Sequence, residues 1–77
     1  MSKEEKLIEK ILQKNKNISY EDAEKILLKL DFVLEIKGSH HIFRKNGFAR
    51  NISLKRRPLL LSYQIEMLKE VLEEHGY

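Results

Sequence analysis

The 77-residue chain contains no cysteine, no tryptophan and a single proline. Without cysteine it has neither a disulfide framework nor a thiolate metal site. It also lacks an apolar run of the roughly 18 residues that a membrane-spanning helix needs. Its first ten residues, MSKEEKLIEK, are too charged for a secretory signal. We therefore expect a cytoplasmic protein that does not associate with a membrane.

The length of the chain predicts one domain over residues 1–77. A domain of this size buries only about 60% of the surface that its unfolded chain exposes. It has no room for an enclosed cofactor site beside a substrate pocket. Any chemistry would use a few side chains on an open face, and we expect no metal and no cofactor.

Positive charge is concentrated in the middle of the chain. The 15 Lys and Arg residues outnumber the 12 Asp and Glu residues, which gives a net charge of +3. Seven of the cations lie between residues 37 and 57, with no acid among them. A basic centre between flanks of mixed charge is typical of a polyanion-binding surface, nucleic acid in particular. The alternative is an ordinary solvated basic surface.

Apolar residues recur at helical spacing in the first part of the chain. Residues 2–5 form a capping-box pattern, a Ser followed three residues later by Glu, and the helix that follows should end near Asn15. A second helix is predicted over residues 19–30, with Ser19 as its candidate N-cap.

The period then changes to that of β-strands. Alternating patterns predict strands over residues 32–37, 40–45 and 48–54. The pair Gly38-Ser39 is a turn candidate. The pair Asn46-Gly47 is the strongest short hairpin signal, because both residues tolerate the positive φ of a type I′ turn.

The last part of the chain predicts a helix again. Ser62 is its candidate N-cap and Gly76 its candidate C-cap. The link before it carries Leu59, Leu60 and Leu61, which we interpret as core residues or as a partner contact.

These elements predict an α+β fold: a three-stranded antiparallel sheet with helices packed on one face. We interpret residues 1–18 as an accessory N-terminal helix and residues 19–77 as the main part of the domain.

Two adjacent histidines fall on opposite faces of the predicted sheet. Two-residue loops place Ile36 opposite His41 in the first hairpin. In the second hairpin they place His41 opposite Ile52, and His40 opposite Ser53. Both turns put His41 on the apolar face, where we expect a structural role with a hydrogen-bond partner, and put His40 on the open face. The two histidines therefore cannot hold one metal ion. The apolar face is expected to carry Phe32, Leu34, Ile36, Phe43 and Phe48.

An exposed histidine beside cations suits one reaction that needs no metal. In RNA cleavage the 2′-hydroxyl attacks the adjacent phosphate, one group removes its proton, and another protonates the leaving 5′-oxygen. Histidine titrates near neutrality and serves in either role, so we interpret His40 as the candidate catalytic residue. A Lys or the solvent would supply the second role. The candidate phosphate-binding residues are Lys37, Ser39, Arg44, Asn51, Lys55 and Arg56.

The segment GSHHIF, residues 38–43, resembles the G-S-H-x-x-F/Y motif of HicA toxins, small ribonucleases of bacterial and archaeal toxin–antitoxin pairs. The order of elements over residues 20–75 is similar as well. The helix over residues 1–18 and the apolar link over residues 55–61 depart from the family pattern.

The resemblance implies a fold like that of double-stranded-RNA-binding domains, with the order α-β-β-β-α. It also implies an mRNA interferase that needs no cofactor, with His40 as the catalytic residue, although a few members use the position that His41 occupies here. A HicB-like antitoxin that covers the active face would be its protein partner.

Three functions are open at this point. The first is an endoribonuclease toxin that is a monomer when free and cleaves single-stranded or structured mRNA. The second is a non-catalytic RNA-binding module of the same fold. The third is a protein-interaction subunit that assembles through Leu59–Leu61.

Overall fold

The computed structural model describes residues 3–77, which form three helices and three strands. The order is α1 (Lys3–Leu12), α2 (Tyr20–Lys29), β1 (Val33–Lys37), β2 (His40–Arg44), β3 (Ile52–Lys55) and α3 (Ser62–Glu74). The predicted α+β class and the antiparallel sheet are confirmed. Ser2, the first residue of the predicted capping box, lies outside the described residues. Within residues 3–77, no helix is both long and apolar enough to cross a membrane.

The boundaries of α2 follow from local hydrogen bonds. Ser19 is its N-cap, as predicted: the Ser19 hydroxyl accepts from the Asp22 amide at 3.1 Å, and the Asp22 carboxylate accepts from the Ser19 amide at 3.2 Å. At the other end, Asp31 has a φ of 70° and the Phe32 amide donates to the Leu27 carbonyl. This Schellman motif turns the chain from the helix into β1.

The sheet has the order β1-β2-β3, so β2 is its central strand. In the first hairpin Lys37 lies opposite His40 and Ile36 opposite His41, as the sequence predicts. Gly38 has a φ of 60°, which a residue without a Cβ adopts readily at the first position of a tight turn. This hairpin fixes which side chains share a face with His40.

The prediction for the second hairpin is wrong by two residues. His41 lies opposite Leu54 rather than Ile52, and His40 lies opposite Lys55 rather than Ser53. A shift of two residues keeps every side chain on its face, because side chains alternate with period two.

The shift arises because residues 45–51 form a loop, so β3 begins at Ile52 and not at Phe48. A turn does form, with the Phe48 amide donating to the Lys45 carbonyl at 3.1 Å. Only Gly47 has a positive φ in it, however, so it is not the predicted type I′ turn. The Phe48 ring packs edge-on against Phe32 and stacks on His75, which draws the loop toward the end of α3.

Helices cover one face of the sheet. Phe43, Ile52 and Leu54 are buried on that face, while their neighbours along the strands are exposed or half-buried. Ile36 lies on this face, as predicted from its pairing with His41, but it is 60% exposed and adds little to the core. It lies on the edge strand beside the first turn, at a corner that the helices leave open.

α1 packs against both α2 and α3. Its residues Ile8 and Ile11 belong to the same buried cluster as Ile26 and Leu68. One core therefore runs from α1 through the other helices to the covered face of the sheet.

The start of α3 differs from the prediction, and the three leucines of the link before it divide between the core and the surface. The N-cap is Leu61 rather than Ser62, and the buried Gln64 side chain accepts from the Leu61 amide at 2.8 Å. Of the three leucines only Leu60 is buried; Leu59 is 50% exposed and Leu61 is 42% exposed. The Leu60 amide donates to the Ile18 carbonyl at 2.8 Å, which pins the link beside α2.

Candidate nucleic-acid interface and active site

His40 stands on the central strand between two lysines. Lys37 lies directly opposite on β1, and Lys55 directly opposite on β3. Directly opposed residues face the same side, with their Cβ atoms about 4.5–5.5 Å apart. All three side chains are exposed. This Lys37–His40–Lys55 row puts one imidazole between two ammonium groups on the uncovered face of the sheet.

The row opens into a concavity of about 460 Å³. The sheet supplies one side, and the link from β3 into the first turn of α3 supplies the other. We call it the His40 concavity. The residues that line it are His40, Ser53, Lys55, Arg56, Arg57, Leu61, Tyr63 and Gln64.

The beginning of α3 makes the concavity more favourable for an anion. Leu61, Tyr63 and Gln64 line it from the first turn of the helix, which contains no acidic residue. The partial positive charge of the helix N-terminus adds to that of the nearby guanidinium and ammonium groups.

Acids from outside the basic stretch pair with several of its cations. Glu35 contacts Arg44 at 3.2 Å and Lys37 at 3.3 Å, and Glu21 contacts Arg56 at 3.3 Å. These pairs are exposed, so each contributes little to stability and a phosphate can compete for the cation. A count of charges along the sequence does not reveal these ion pairs, because they depend on which elements meet in space.

Two cations of the concavity are free of such partners. Neither Lys55 nor Arg57 forms an ion pair with any other part of the described chain. Positive charge that is not neutralised is therefore concentrated at the His40 end of the open face.

The structure brings some of the predicted phosphate-binding residues together around His40. Lys37 and Lys55 flank it, and Arg56 lines its concavity. Ser39 is exposed in the adjacent turn and does not line the concavity.

Two predicted binding residues lie elsewhere. Arg44 is at the other end of β2, four residues from His40, which corresponds to about 13 Å along a strand. Asn51 is exposed in the loop before β3 and does not line the His40 concavity. The sequence interpretation also passed over Arg57 and Tyr63, which do line it. Their position depends on the path of the link, for which the sequence carries no periodic signal.

His41 faces the helices, as predicted. Its Nδ1 atom lies 2.6 Å from the Tyr20 hydroxyl, and the two rings meet edge to face with centroids 4.9 Å apart. Burial, together with the nearby Glu24 carboxylate, raises the pKa of Tyr20. His41 therefore has the hydrogen-bond partner that its half-buried imidazole needs.

In the described part of the chain, no group of three or more His, Asp or Glu side chains is arranged to hold a metal ion.

Tyr20→Phe should lower the free energy of unfolding by about 1 kcal/mol near neutral pH, because His41 loses its partner while the ring packing remains. The pKa of the Tyr20 hydroxyl is raised in the folded state, so its contribution is present below the ordinary tyrosine pKa of 10.0 and is lost as pH rises above it. Urea unfolding midpoints at several pH values measure both effects. Above pH 10 the wild type should lose stability faster than Tyr20→Phe. Equal slopes, with Tyr77→Phe as the control, would contradict the buried-hydroxyl explanation.

His75 has a different function at the far end of the molecule. Its Nδ1 atom donates to the Val71 carbonyl at 2.7 Å, since a carbonyl can only accept. Its Nε2 atom then accepts from the Lys45 ammonium at 3.0 Å. Together with the stacking on Phe48, these bonds fasten loop 45–51 to α3. The sequence interpretation assigned no function to His75.

Comparisons of this chain with protein-family models, with curated proteins and with solved structures give no match.

Proposed function

We propose that this protein is a metal-independent endoribonuclease that cleaves mRNA with a single catalytic histidine, His40. The observation that supports the proposal is the Lys37–His40–Lys55 row on the uncovered face of the sheet. Arg57, which forms no ion pair within the described chain, lines the same concavity. One group able to transfer protons thus lies among cations that suit a phosphate.

The reaction that fits these groups is an internal transesterification. The 2′-hydroxyl oxygen forms a bond to the adjacent phosphorus, and the bond from phosphorus to the 5′-oxygen breaks. The products are a 2′,3′-cyclic phosphate and a 5′-hydroxyl. His40 either takes the proton from the 2′-hydroxyl or gives one to the 5′-oxygen. Lys55 and Arg57 stabilise the extra negative charge of the transition state, and the Lys55 ammonium or a water molecule supplies the second proton-transfer group.

We propose further that the protein is a HicA-like toxin. The order α2-β1-β2-β3-α3 supports a fold like that of double-stranded-RNA-binding domains, and the GSHHIF segment forms the turn and strand that present His40. A HicB-like antitoxin would neutralise the protein by covering the open face. The exposure of His40, Lys37 and Lys55 leaves that face accessible to RNA and to such a partner.

The experiment is a cleavage assay on a long single-stranded RNA in EDTA, with analysis of the product ends. Cleavage to cyclic phosphate and 5′-hydroxyl ends is expected. DNA of the same sequence is the matched control, because it lacks the 2′-hydroxyl and must stay intact.

Other outcomes point elsewhere. Binding that weakens steeply with salt but gives no cleavage would favour the RNA-binding module. Binding that does not respond to salt would count against both functions, and an oligomer on size-exclusion chromatography would favour the protein-interaction subunit.

Glu35→Gln should strengthen RNA binding, because it releases Arg44 and Lys37 from their common acid. One or two additional phosphate contacts should make the slope of log K against log salt steeper by about 1 to 2. Glu9→Gln is the control: Glu9 is an exposed acid on α1, and this variant has the same net charge. An equal change in both variants would show a general charge effect and not a local one.

A further inference from the structure

Tyr63 is a large aromatic side chain that the fold does not use. It is 66% exposed in the first turn of α3. Its ring contacts no other aromatic ring, and its hydroxyl forms no hydrogen bond, among the residues that the structure describes. Nothing in the core accounts for a tyrosine here, yet the residue lines the same concavity as His40.

We infer that Tyr63 is a stacking platform for one unpaired nucleobase beside the scissile phosphate, and that the site therefore takes single-stranded RNA. The inference rests on the proposed ribonuclease function and names its substrate class. An aromatic side chain can stack on an internal base only when that base has left its own stack.

The surroundings of Tyr63 fit a single nucleotide. Lys55 and Arg57 line the concavity with it and are free to hold the phosphate on either side of the stacked base. A basic groove combined with an exposed aromatic ring is the usual arrangement for binding single strands. The concavity, at about 460 Å³, is of the size that accepts a small ligand.

The charge pattern of the open face is unsuited to a duplex. Recognition of double-stranded RNA relies on phosphate contacts spread over successive grooves. Here Glu35 lies on the same face, between the two ends of the sheet, and engages both Arg44 and Lys37. Lys55 and Arg57, the cations without an ion pair in the described chain, lie near Tyr63. The face therefore offers one phosphate-binding site and not an extended row of such sites.

Two other uses of Tyr63 predict different behaviour. A tyrosine that donates a proton or a hydrogen bond needs its hydroxyl, which Tyr63→Phe removes while leaving the ring. A tyrosine that docks a protein partner would leave RNA affinity unchanged when it is truncated.

The test measures binding in a His40→Ala background, so that RNA is not consumed. Fluorescence anisotropy gives the Kd for a short labelled single-stranded RNA and for a blunt duplex of the same sequence. Tyr63→Ala should weaken single-strand binding by about 5- to 150-fold, the loss typical of one base–aromatic stack, and change duplex binding by less than about 2-fold. Tyr63→Phe should bind as the parent does. Tyr77→Ala removes another exposed tyrosine, 49% exposed and next to the end of α3, and serves as the control.

The inference is overturned if Tyr63→Ala binds the single strand as tightly as the parent, if duplex binding falls equally, or if Tyr63→Phe loses as much as Tyr63→Ala. The outcome is independent of cleavage. A wild type that never cleaves RNA, but whose single-strand affinity depends on Tyr63, would refute the ribonuclease and retain the stacking site. A wild type that cleaves, with Tyr63→Ala binding normally, would refute the stacking site alone.

Discussion

His40→Ala is expected to lower the rate of RNA cleavage by about 10²- to 10⁴-fold, the usual contribution of one general acid or base. The fold should survive, because His40 is exposed and its imidazole forms no hydrogen bond within the described residues. Its stability should stay within about 0.5 kcal/mol of the wild type. The measurement is the cleavage rate of the wild type and of His40→Ala in EDTA, with circular dichroism to verify that both are folded.

The matched control for that loss is His41→Asn. Its side-chain oxygen keeps an acceptor near the position of the His41 Nδ1 atom, which lies 2.6 Å from the Tyr20 hydroxyl. This variant should cleave at close to the wild-type rate. If instead His41→Asn is inactive while folded and His40→Ala is active, the catalytic role passes to His41, the position that the HicA resemblance leaves open.

The pH dependence of cleavage separates a proton-transfer role of His40 from mere binding. A group that transfers a proton in the rate-determining step makes the rate depend on pH. Residual cleavage by His40→Ala should lack that dependence. A variant that keeps the wild-type pH profile at a lower rate would mean that His40 only helps to bind RNA.

The sequence predicted the neighbourhood of His40 where local geometry determines it. The Gly38-Ser39 turn and the alternation on both sides fix the first register, so Lys37 lies opposite His40 as expected. Period-two alternation then assigned His40 and His41 to opposite faces, and a register error of two residues in the second hairpin could not change that.

The register of the second hairpin depends on contacts between residues that are distant along the chain, which a local sequence pattern does not reveal. Phe48 leaves the predicted strand because it packs against Phe32 and His75, which are distant along the chain. The same non-local folding placed Lys55 beside His40. The packing of the half-buried Phe48 ring outweighs the preference of Asn46-Gly47 for a type I′ turn.

The charge of the site was harder to predict than its geometry. Seven cations without an acid among them predicted a basic, polyanion-binding surface, yet Glu35 on β1 and the more distant Glu21 on α2 pair with three of those cations. The two cations of the His40 concavity that form no ion pair within the described chain are Lys55 and Arg57. The sequence interpretation did not select Arg57. Ion pairing depends on which elements meet in space, so a count along the chain overstates the basic surface.

The second large effect concerns α1, which the sequence presented as an accessory helix. Ile11 is fully buried, and α1 contacts both α2 and α3. Ile11→Ala should therefore lower the free energy of unfolding by about 2–5 kcal/mol, the cost of lost burial plus the cavity left behind. Single domains have only about 5–15 kcal/mol in total, so the variant should be partly unfolded under mild urea. The urea unfolding midpoint measures the change.

Lys6→Ala, at an exposed position of the same helix, is the matched control and should change the midpoint little. The Lys37–His40–Lys55 row lies on the face of the sheet that the helices leave uncovered. Ile11→Ala should consequently keep the wild-type cleavage rate per folded molecule wherever it remains folded. An unchanged midpoint would show α1 to be dispensable to the core. A normal midpoint combined with slower cleavage would instead mean that α1 acts on the reaction by a route other than stability.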